Sequence, residues 1–500
     1  MKKNFFKITA FLLAVVFTFL SFYNVYSFKY LDSVFKMKMF YEQEDNTVDV
    51  LVLGSSHIYQ GFNTAVLWKE YGYAAYNLCG AAQPLWNTYY YLEEALKTQN
   101  PQVIILDVFT LSYTGEYGDT SYAIKNTYGL KWSQTKIDAI KTSFDMEKAG
   151  YQYFFEVLQY HSKYSDLKKT DFYPYQANKE MYENHKGFYC YYNSAAVKEK
   201  DLTGVEVYNE ISEKNEEYLR KIIELAQSKN IPLIATVIPY DADIFHEGLY
   251  NTVQLIFNEY NVPFYNFVTD YKDVLAIDFK TDFADSQHLN HLGNTKVTHF
   301  FGDLLSADYD VTDRRGDPLY SSWDSDADVH YVQVYNTEVK KQKNLNTYAE
   351  IIGNKRYVTV ITESVNDFSE LSENVRKNAE KFFDKLGISE DEYTAGGMWV
   401  VRDGEVEYYN ECKSESFTKS VRLSRFDTAF VDIEERAIDE VLDEETGEIT
   451  PVCVYTKKIH SNKSDQTKIS HGINIYVYDT LTQSTVDALG YNYSNGKLSR

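Results

Sequence analysis

Two short segments of the sequence carry side chains that together suit nucleophilic catalysis. In the first, Val52–His57, small residues and hydroxyls directly follow an apolar run and include Ser56. A serine nucleophile suits such a place, because a tight turn after a buried strand exposes its Oγ at the carboxyl edge of a sheet. The N-terminus of the following helix would favour developing negative charge. Since similar turns also occur as plain helix caps, this segment needs a partner elsewhere in the chain.

The partner segment is Asp285–Gly293, which comes just before a predicted helix. In Asp285-x-x-His288, both side chains can come from one loop. The carboxylate then fixes the tautomer of the imidazole, and the ring faces the serine as a general base. The sequence therefore predicts Ser56, Asp285 and His288 as a catalytic triad. In the plainer interpretation, Asp285 caps the helix and His288 is a surface histidine.

Three further histidines and one acidic run are candidate ligands, but their spacing does not favour a metal. His57, His161 and His291 have no partner at metal-ligand spacing, so we interpret them as structural or surface residues. The run Asp324–Asp328 lacks the glycine and glutamate of a calcium-binding EF-hand loop, and we interpret it as solvated linker. No metal and no cofactor is expected.

Five apolar runs predict the strands that would position these segments. They are Val48–Leu53, Ala74–Cys79, Val103–Val108, Leu233–Ile238 and Val262–Phe267. Runs that are apolar on both faces are typical of a parallel sheet covered by helices, and helical spacing at Leu219–Ala226 supports repeated βα units. Residues 110–205 are rich in Tyr, Lys and Asp and interrupt this pattern. They predict an insertion after the third strand that shapes the ligand crevice of an α/β fold.

The N-terminus predicts an exported chain. Lys2 and Lys3 precede an apolar stretch from Phe5 to Phe28, which is long enough to cross a hydrocarbon core of ~30 Å. The lysines would keep the N-terminus cytoplasmic, so residues 1–28 are interpreted as a transmembrane anchor. A signal peptide cleaved after Val25-Tyr26-Ser27 is the alternative. Both interpretations place the remainder outside the cytoplasm.

The C-terminal part predicts a second, smaller domain. Residues 311–347 are interpreted as a linker, and residues 348–500 as an α+β or β-sandwich-like domain. Its predicted elements are a strand at Tyr357–Thr362, a helix at Phe368–Leu386, a hairpin of Met398–Val401 and Val406–Tyr409, and a strand pair of Ile473–Tyr478 and Ser484–Leu489.

The overall composition excludes some classes of function. Of 500 residues, 44% are hydrophobic and 25% charged, as is usual for a globular chain of two or three domains. The net charge of -23 argues against nucleic acid or an anionic lipid surface as the main ligand. The cysteines, Cys79, Cys190, Cys412 and Cys453, form no CxxC pair, so zinc is not expected, and a Cys412–Cys453 disulfide stays open.

Taken together, the serine turn and the Asp-x-x-His segment resemble the SGNH hydrolase family over roughly residues 49–305. The resemblance implies a flavodoxin-like three-layer parallel sheet with Ser56 as the nucleophile. It also implies an oxyanion hole made by the Ser56 backbone N–H, by Gly80 after strand two, and by an asparagine after strand three. That asparagine is missing, because Asp107-Val108-Phe109 continues there. Gln83 is a candidate replacement donor.

An N-terminal anchor followed by Gly-Ser-Ser and Asp-x-x-His-Leu-Asn is similar to the envelope-acylation branch of this superfamily, which includes the D-alanyl transfer proteins of teichoic acid and the alginate acetylation proteins. The resemblance implies a single-pass cell-membrane protein with an extracellular catalytic domain. It would add or remove acyl groups, foremost acetyl, on a cell-surface polysaccharide, beside a membrane-bound O-acyltransferase. The alternatives are a plain carbohydrate esterase and, because of the missing asparagine, a catalytically degenerate glycan-binding or scaffold protein.

A second resemblance covers roughly residues 348–493. The predicted helix, the Met398-Trp399-Val400-Val401 strand and the run His471–Asp479 are similar to the interleukin-like EMT inducer domain. This resemblance implies an accessory module, a candidate glycan-binding one, without catalytic residues.

Overall fold

The computed structural model describes residues 2–27, 31–113, 115–155, 159–172, 185–364, 368–413, 416–425, 427–442, 449–461 and 464–500. The chain divides into two compact units, Met1–His330 and Tyr331–Arg500. Each unit has its own sheets and its own hydrophobic core.

The first unit is built on a five-stranded parallel sheet in the order β2-β1-β3-β4-β5. The strands are β1 Val50–Gly54, β2 Ala75–Cys79, β3 Val103–Asp107, β4 Leu233–Val237 and β5 Phe264–Asn266. The predicted parallel sheet is thus confirmed, with a fifth strand shorter than its apolar run. Every residue of β1 to β4 is buried, which explains why these strands are apolar on both faces.

Helices cover both faces of this sheet and form a core on each. Leu51 and Leu53 of β1 belong to one core, and Val50 and Val52 belong to the other, as expected from the alternation of side chains along a strand. The α-helices of the unit are Lys2–Tyr26, Lys36–Phe40, Ser56–Gly61, Thr64–Val66, Leu85–Ala95, Thr120–Tyr128, Gln134–Ser143, Met146–Ala149, Lys169–Phe172, Glu213–Ser228, Ile244–Glu259 and His291–Asp308.

The predicted insertion lies between β3 and β4. Its described residues form helices, turns and extended loops, with no strand assigned among them. The chain re-enters the βα pattern with the helix Glu213–Ser228, whose buried face carries the predicted Leu219 and Ile222. The described residues of this interval therefore interrupt the alternation of strands and helices in the structure, as they do in the sequence.

The N-terminal apolar stretch is helical from Lys2 to Tyr26, with large exposed side chains such as Phe6 and Phe17. Among the described residues, no helix has both the length and the apolar character needed to cross a membrane. The transmembrane part of the predicted fold is therefore unsupported.

The second unit contains two antiparallel sheets. Their orders are β15-β14-β13-β6-β7-β8 and β12-β11-β10-β9. The strands are β6 Tyr357–Ser364, β7 Met398–Arg402, β8 Glu405–Asn410, β9 Phe417–Arg422, β10 Thr428–Leu442, β11 Ile449–Ser461, β12 Ser464–Asp465, β13 Gly472–Asp479, β14 Ser484–Asn492 and β15 Lys497–Ser499. The helices Leu345–Ile352, Glu373–Lys385 and Glu390–Ala395 accompany them.

Two observations outside the parallel sheet concern features considered in the sequence analysis. The segment interpreted as a linker contains a helix, Ser321–Lys340. Among the cysteines whose side chains are described, Cys79, Cys190 and Cys412 are free thiols, and the Cys453 side chain lies outside the described residues.

A buried carboxyl group lies on β6. Glu363 has no exposed surface, and its Oε1 accepts a hydrogen bond from the Tyr493 hydroxyl. Its Oε2 is buried without a partner among the described residues. Burial raises the pKa of Glu363 to about 8, although the Tyr493 hydrogen bond and the charge of Lys457 act in the opposite direction. The carboxyl is therefore protonated in the folded protein at a pH where an unfolded chain has lost that proton.

We expect the second unit to lose stability as the pH rises from about 4.5 to about 8, because over this window the folded state holds a proton that the unfolded state has released. The contribution of this one group to the free energy of unfolding should change by roughly 3–5 kcal/mol. Hydrogen exchange of the β6 amides in the full chain, measured against pH, checks this. Glu363→Gln is the control. In this variant, the protection of the β6 amides against exchange should lack the fall between about pH 4.5 and about pH 8 that the Glu363 carboxyl causes. Equal pH dependence in both proteins would contradict the prediction.

Candidate active site

The turn after β1 has the tight geometry that a nucleophile needs. Gly54 ends the strand with φ +148°, and a Cβ there would lie 2.8 Å from a methyl of Ile58 and 2.9 Å from the Cβ of Asp107. Only glycine fits this position without strain. Ser55 caps the helix Ser56–Gly61, with its Oγ accepting from the His57 backbone N–H at 3.4 Å. Ser56 is therefore the first helical residue beyond the strand.

The structure brings the three predicted triad residues into one hydrogen-bonded chain. The Nε2 of His288 lies 3.1 Å from the Oγ of Ser56, and its Nδ1 lies 2.9 Å and 3.0 Å from the carboxylate oxygens of Asp285. An ionised carboxylate only accepts, so Nδ1 carries the proton and Nε2 is the acceptor that faces the serine hydroxyl. This arrangement can remove a proton from Ser56 as its oxygen attacks an electrophile.

Asp285 is held in its ionised form. Partial burial opposes ionisation, but the Gln287 backbone N–H and the His288 side chain donate to the carboxylate and outweigh it, so the pKa of Asp285 lies below its usual value. The Gln287 N–H donates at 2.8 Å. The carboxylate can therefore keep orienting the imidazole well into the acidic range.

The plainer interpretation of this loop is wrong in one respect. Asn290, and not Asp285, caps the helix His291–Asp308, since its side chain accepts from the backbone N–H groups of Leu292 and Gly293 at 2.9 Å and 3.3 Å. His288 is largely covered, with 17% of its side chain exposed. Asp285 is therefore left to interact with His288.

A segment that the sequence reasoning missed holds the triad loop in place. Residues 188–197, the return segment of the insertion, run alongside the loop. The Ala195 N–H donates to the Phe283 carbonyl at 2.8 Å, the His291 N–H to the Tyr191 carbonyl at 2.9 Å, and the Asn193 side chain to the Ala284 carbonyl at 3.1 Å. No periodicity marks these residues, so only the folded chain reveals their role.

Aromatic rings of the return segment also approach the base. The ring of Tyr191 lies 6.1 Å from the ring of His288, and Tyr189 meets Tyr191 edge to face at 5.3 Å. The insertion therefore forms part of the wall around His288, as the sequence predicted for residues 110–205.

The two predicted oxyanion residues have different surroundings. The pairing of Gly54 with Cys79 places Gly80 just past the end of β2, beside the serine turn. Gln83 is buried, and its Nε2 donates to the Thr88 hydroxyl at 3.1 Å. Its Oε1, an acceptor, is the atom that faces Gly80. The structure thus assigns the Gln83 amide to the packing of this corner, while Gly80 directly follows β2.

The histidines and the acidic run considered as metal ligands have other surroundings. The described residues contain no group of three or more His, Cys, Asp or Glu side chains suited to a metal ion. In the acidic run, Asp324 accepts from the Trp68 indole at 2.9 Å, and Asp328 pairs with Lys69 at 2.8 Å. His291 is a buried helix residue, and the side chain of His161 lies outside the described residues.

His57 is the histidine whose place was least expected. It is fully buried beside Ser56, and its Nδ1 lies 3.1 Å and 3.3 Å from the carboxylate oxygens of Asp107. No pattern along the chain indicates this pair, because the two residues meet only through the adjacency of β1 and β3.

The chain matches no known protein-family model. No curated protein matches it either. The site geometry therefore carries the functional argument.

Proposed function

We propose that the chain is a serine hydrolase or acyltransferase of the SGNH type, working through an acyl-serine intermediate. The observation that carries this proposal is the hydrogen-bonded chain from Ser56 through His288 to Asp285 at the carboxyl edge of a parallel sheet. The strand order 2-1-3-4-5 is that of flavodoxin-like sheets, whose ligands bind outside the carboxyl ends of the strands.

The reaction needs only groups that the chain supplies. Ser56 Oγ attacks the carbonyl carbon of an ester while His288 Nε2 takes its proton. The tetrahedral intermediate collapses, the alcohol leaves with the proton from His288, and the acyl group stays on Ser56. Water or a sugar hydroxyl then attacks this acyl-serine with His288 again as base, which regenerates the free serine.

Backbone donors near Ser56 suit the negative oxygen of the tetrahedral intermediate. The Ser56 N–H belongs to the first helical turn, whose N–H groups have no helical acceptor. Gly80, just past the end of β2, is the second donor in this proposal. Each such donor is worth roughly 3 kcal/mol of transition-state stabilisation.

The substrate class in this proposal is an acyl ester, foremost an acetyl ester, of a cell-envelope polysaccharide. We place the site outside the cytoplasm, on a cell membrane, with a membrane-bound O-acyltransferase as the supplier of acyl groups. The support is the N-terminal sequence pattern of lysines followed by apolar residues, together with the resemblance of the serine turn and the Asp285-x-x-His288 loop to envelope-acylation proteins.

A second candidate function is a glycan-binding or scaffold protein on the same fold. Two observations favour it: Asp107 stands where a donor amide is expected, and the Gln83 amide nitrogen is engaged by Thr88. The two functions differ in whether Ser56 ever carries an acyl group.

An acyl-adduct experiment separates these functions. The full chain is mixed with a small aryl acetate, quenched, and examined by intact-mass analysis and peptide mapping. We expect one acetyl group on Ser56, discharged faster when an acetylatable envelope glycan is present if transfer is the reaction. Discharge at the same rate without glycan favours the plain esterase. No adduct and no turnover would leave the scaffold function.

A further inference from the structure

A second carboxylate lies next to the serine turn and has a charge unfavourable to the proposed reaction. Asp107 is the last residue of β3, directly beside Gly54, and its side chain has no exposed surface. An ester attacked by Ser56 develops negative charge on its carbonyl oxygen close to this turn. A like charge in a buried, low-dielectric place raises the energy of that intermediate.

His57 is placed to offset this charge. Its Nδ1–H donates to Asp107, and its ring stacks on Phe109 at 4.3 Å and meets Tyr240 edge-on at 5.3 Å. The other ring nitrogen, Nε2, is buried without a hydrogen-bond partner among the described residues. The hydrogen bonding of the His57 ring is therefore committed to Asp107.

The Asp107 carboxylate also contributes to the raised pKa values of two side chains near the serine turn. Burial raises the pKa of the Cys79 thiol at the end of β2, and the Asp107 carboxylate adds to this rise, while Lys36 opposes it. Burial likewise raises the pKa of Tyr240, beyond β4, and Asp107 again contributes in the same direction. Ser56 follows β1, which lies between β2 and β3 in the sheet, so it is next to the strand that carries Asp107.

We propose that His57 is a charge-compensating partner that shields the oxyanion site beside Ser56 from the carboxylate of Asp107. The inference rests on the proposed acyl-serine chemistry. It assigns His57 a role separate from the triad: the imidazole acts through Asp107, and its removal harms the reaction only while residue 107 is negative.

The test is a charge-rescue cycle in the full chain. His57→Phe keeps a stacked ring but removes the donor, Asp107→Asn removes the charge, and the double variant removes both. The readouts are kcat and KM for an aryl acetate, and the rate at which a fluorophosphonate, losing fluoride, labels Ser56.

We expect His57→Phe to lower kcat and the labelling rate by at least about tenfold with little change in KM. Asp107→Asn should stay within about threefold of wild type, and the double variant should recover to within about threefold.

A matched control lies at the opposite end of β1. There Arg314 donates to both carboxylate oxygens of Asp49 at 2.9 Å. Arg314→Gln also removes the partner of a buried carboxylate, so it should lower the Tm while leaving kcat and labelling unchanged.

The outcomes distinguish the inference from the function on which it rests. If the wild-type protein cleaves the ester and the double variant is as slow as His57→Phe, then His57 only supports the packing. That result would overturn this inference and leave the proposed function standing. A wild-type protein that neither cleaves ester nor reacts with the fluorophosphonate would overturn both.

Discussion

Ser56→Ala should lower aryl acetate turnover by about 10³-fold or more, to the level left by binding and backbone donors alone. In the proposed reaction Ser56 Oγ forms the acyl bond, and His288 Nε2 lies 3.1 Å from it. His288→Ala should cost nearly as much, because the three residues act as a unit. Asp285→Asn should be milder than either.

The neighbouring serine provides the control for this prediction. Ser55 has a similar side chain one residue earlier, but its Oγ accepts from the His57 N–H and serves as the helix cap. Ser55→Ala should cost about 1 kcal/mol of stability and leave most of the turnover. If Ser55→Ala removed activity and Ser56→Ala did not, Ser56 would not be the nucleophile.

Asp479→Ala should destabilise the second unit by about 3–5 kcal/mol. The Asp479 carboxylate is fully buried at the end of β13 and accepts from Arg356 at 2.8 Å and from the Asn336 side chain at 2.9 Å. The backbone N–H groups of Leu481 and Thr482 donate to its other oxygen. The truncation therefore leaves the guanidinium of Arg356 without its carboxylate and several donors without an acceptor. Denaturant unfolding combined with hydrogen exchange of the β13 amides measures the loss.

An exposed ion pair of the same unit is the comparison. Arg402 and Glu407 lie 2.8 Å apart with solvent around both. Glu407→Ala should change the free energy of unfolding by at most about 1 kcal/mol. Similar losses from Asp479→Ala and Glu407→Ala would mean that the buried network contributes little.

The parallel sheet and the triad could be predicted because each has a local signal. A strand buried on both faces must be apolar throughout, as β1 and β3 are. Likewise, one loop carries both Asp285 and His288, so their spacing is visible along the chain. The position of Ser56 follows from the glycine turn that precedes it.

The other parts of the site depend on contacts between distant residues. His57 and Asp107 are fifty residues apart and meet only because β1 and β3 are neighbours in the sheet. The return segment has no periodic pattern, since its backbone hydrogen bonds, and not an apolar face, attach it to the triad loop. The role of Gln83 depended on which way its amide points, and sequence does not encode that direction.

In the second unit, charge obscured the pattern. The strand β10 buries Val431 and Ile433 but continues through the exposed run Glu434–Arg436. A run of charged residues of this kind is typical of a surface loop. Similarly, the helix Ser321–Lys340 begins with several acidic residues and has no wide apolar stripe, so its sequence is typical of a linker.

The return segment sets a limit on how this chain could be trimmed or recombined. A shortened version of this chain would omit the interval between β3 and the helix Glu213–Ser228, since none of the described residues of that interval adds a strand to the sheet. That deletion would also remove Asn193 and Ala195, which bind the loop that carries His288. A shortened chain would therefore have to keep residues 188–197, or replace the hydrogen bonds that they supply to this loop.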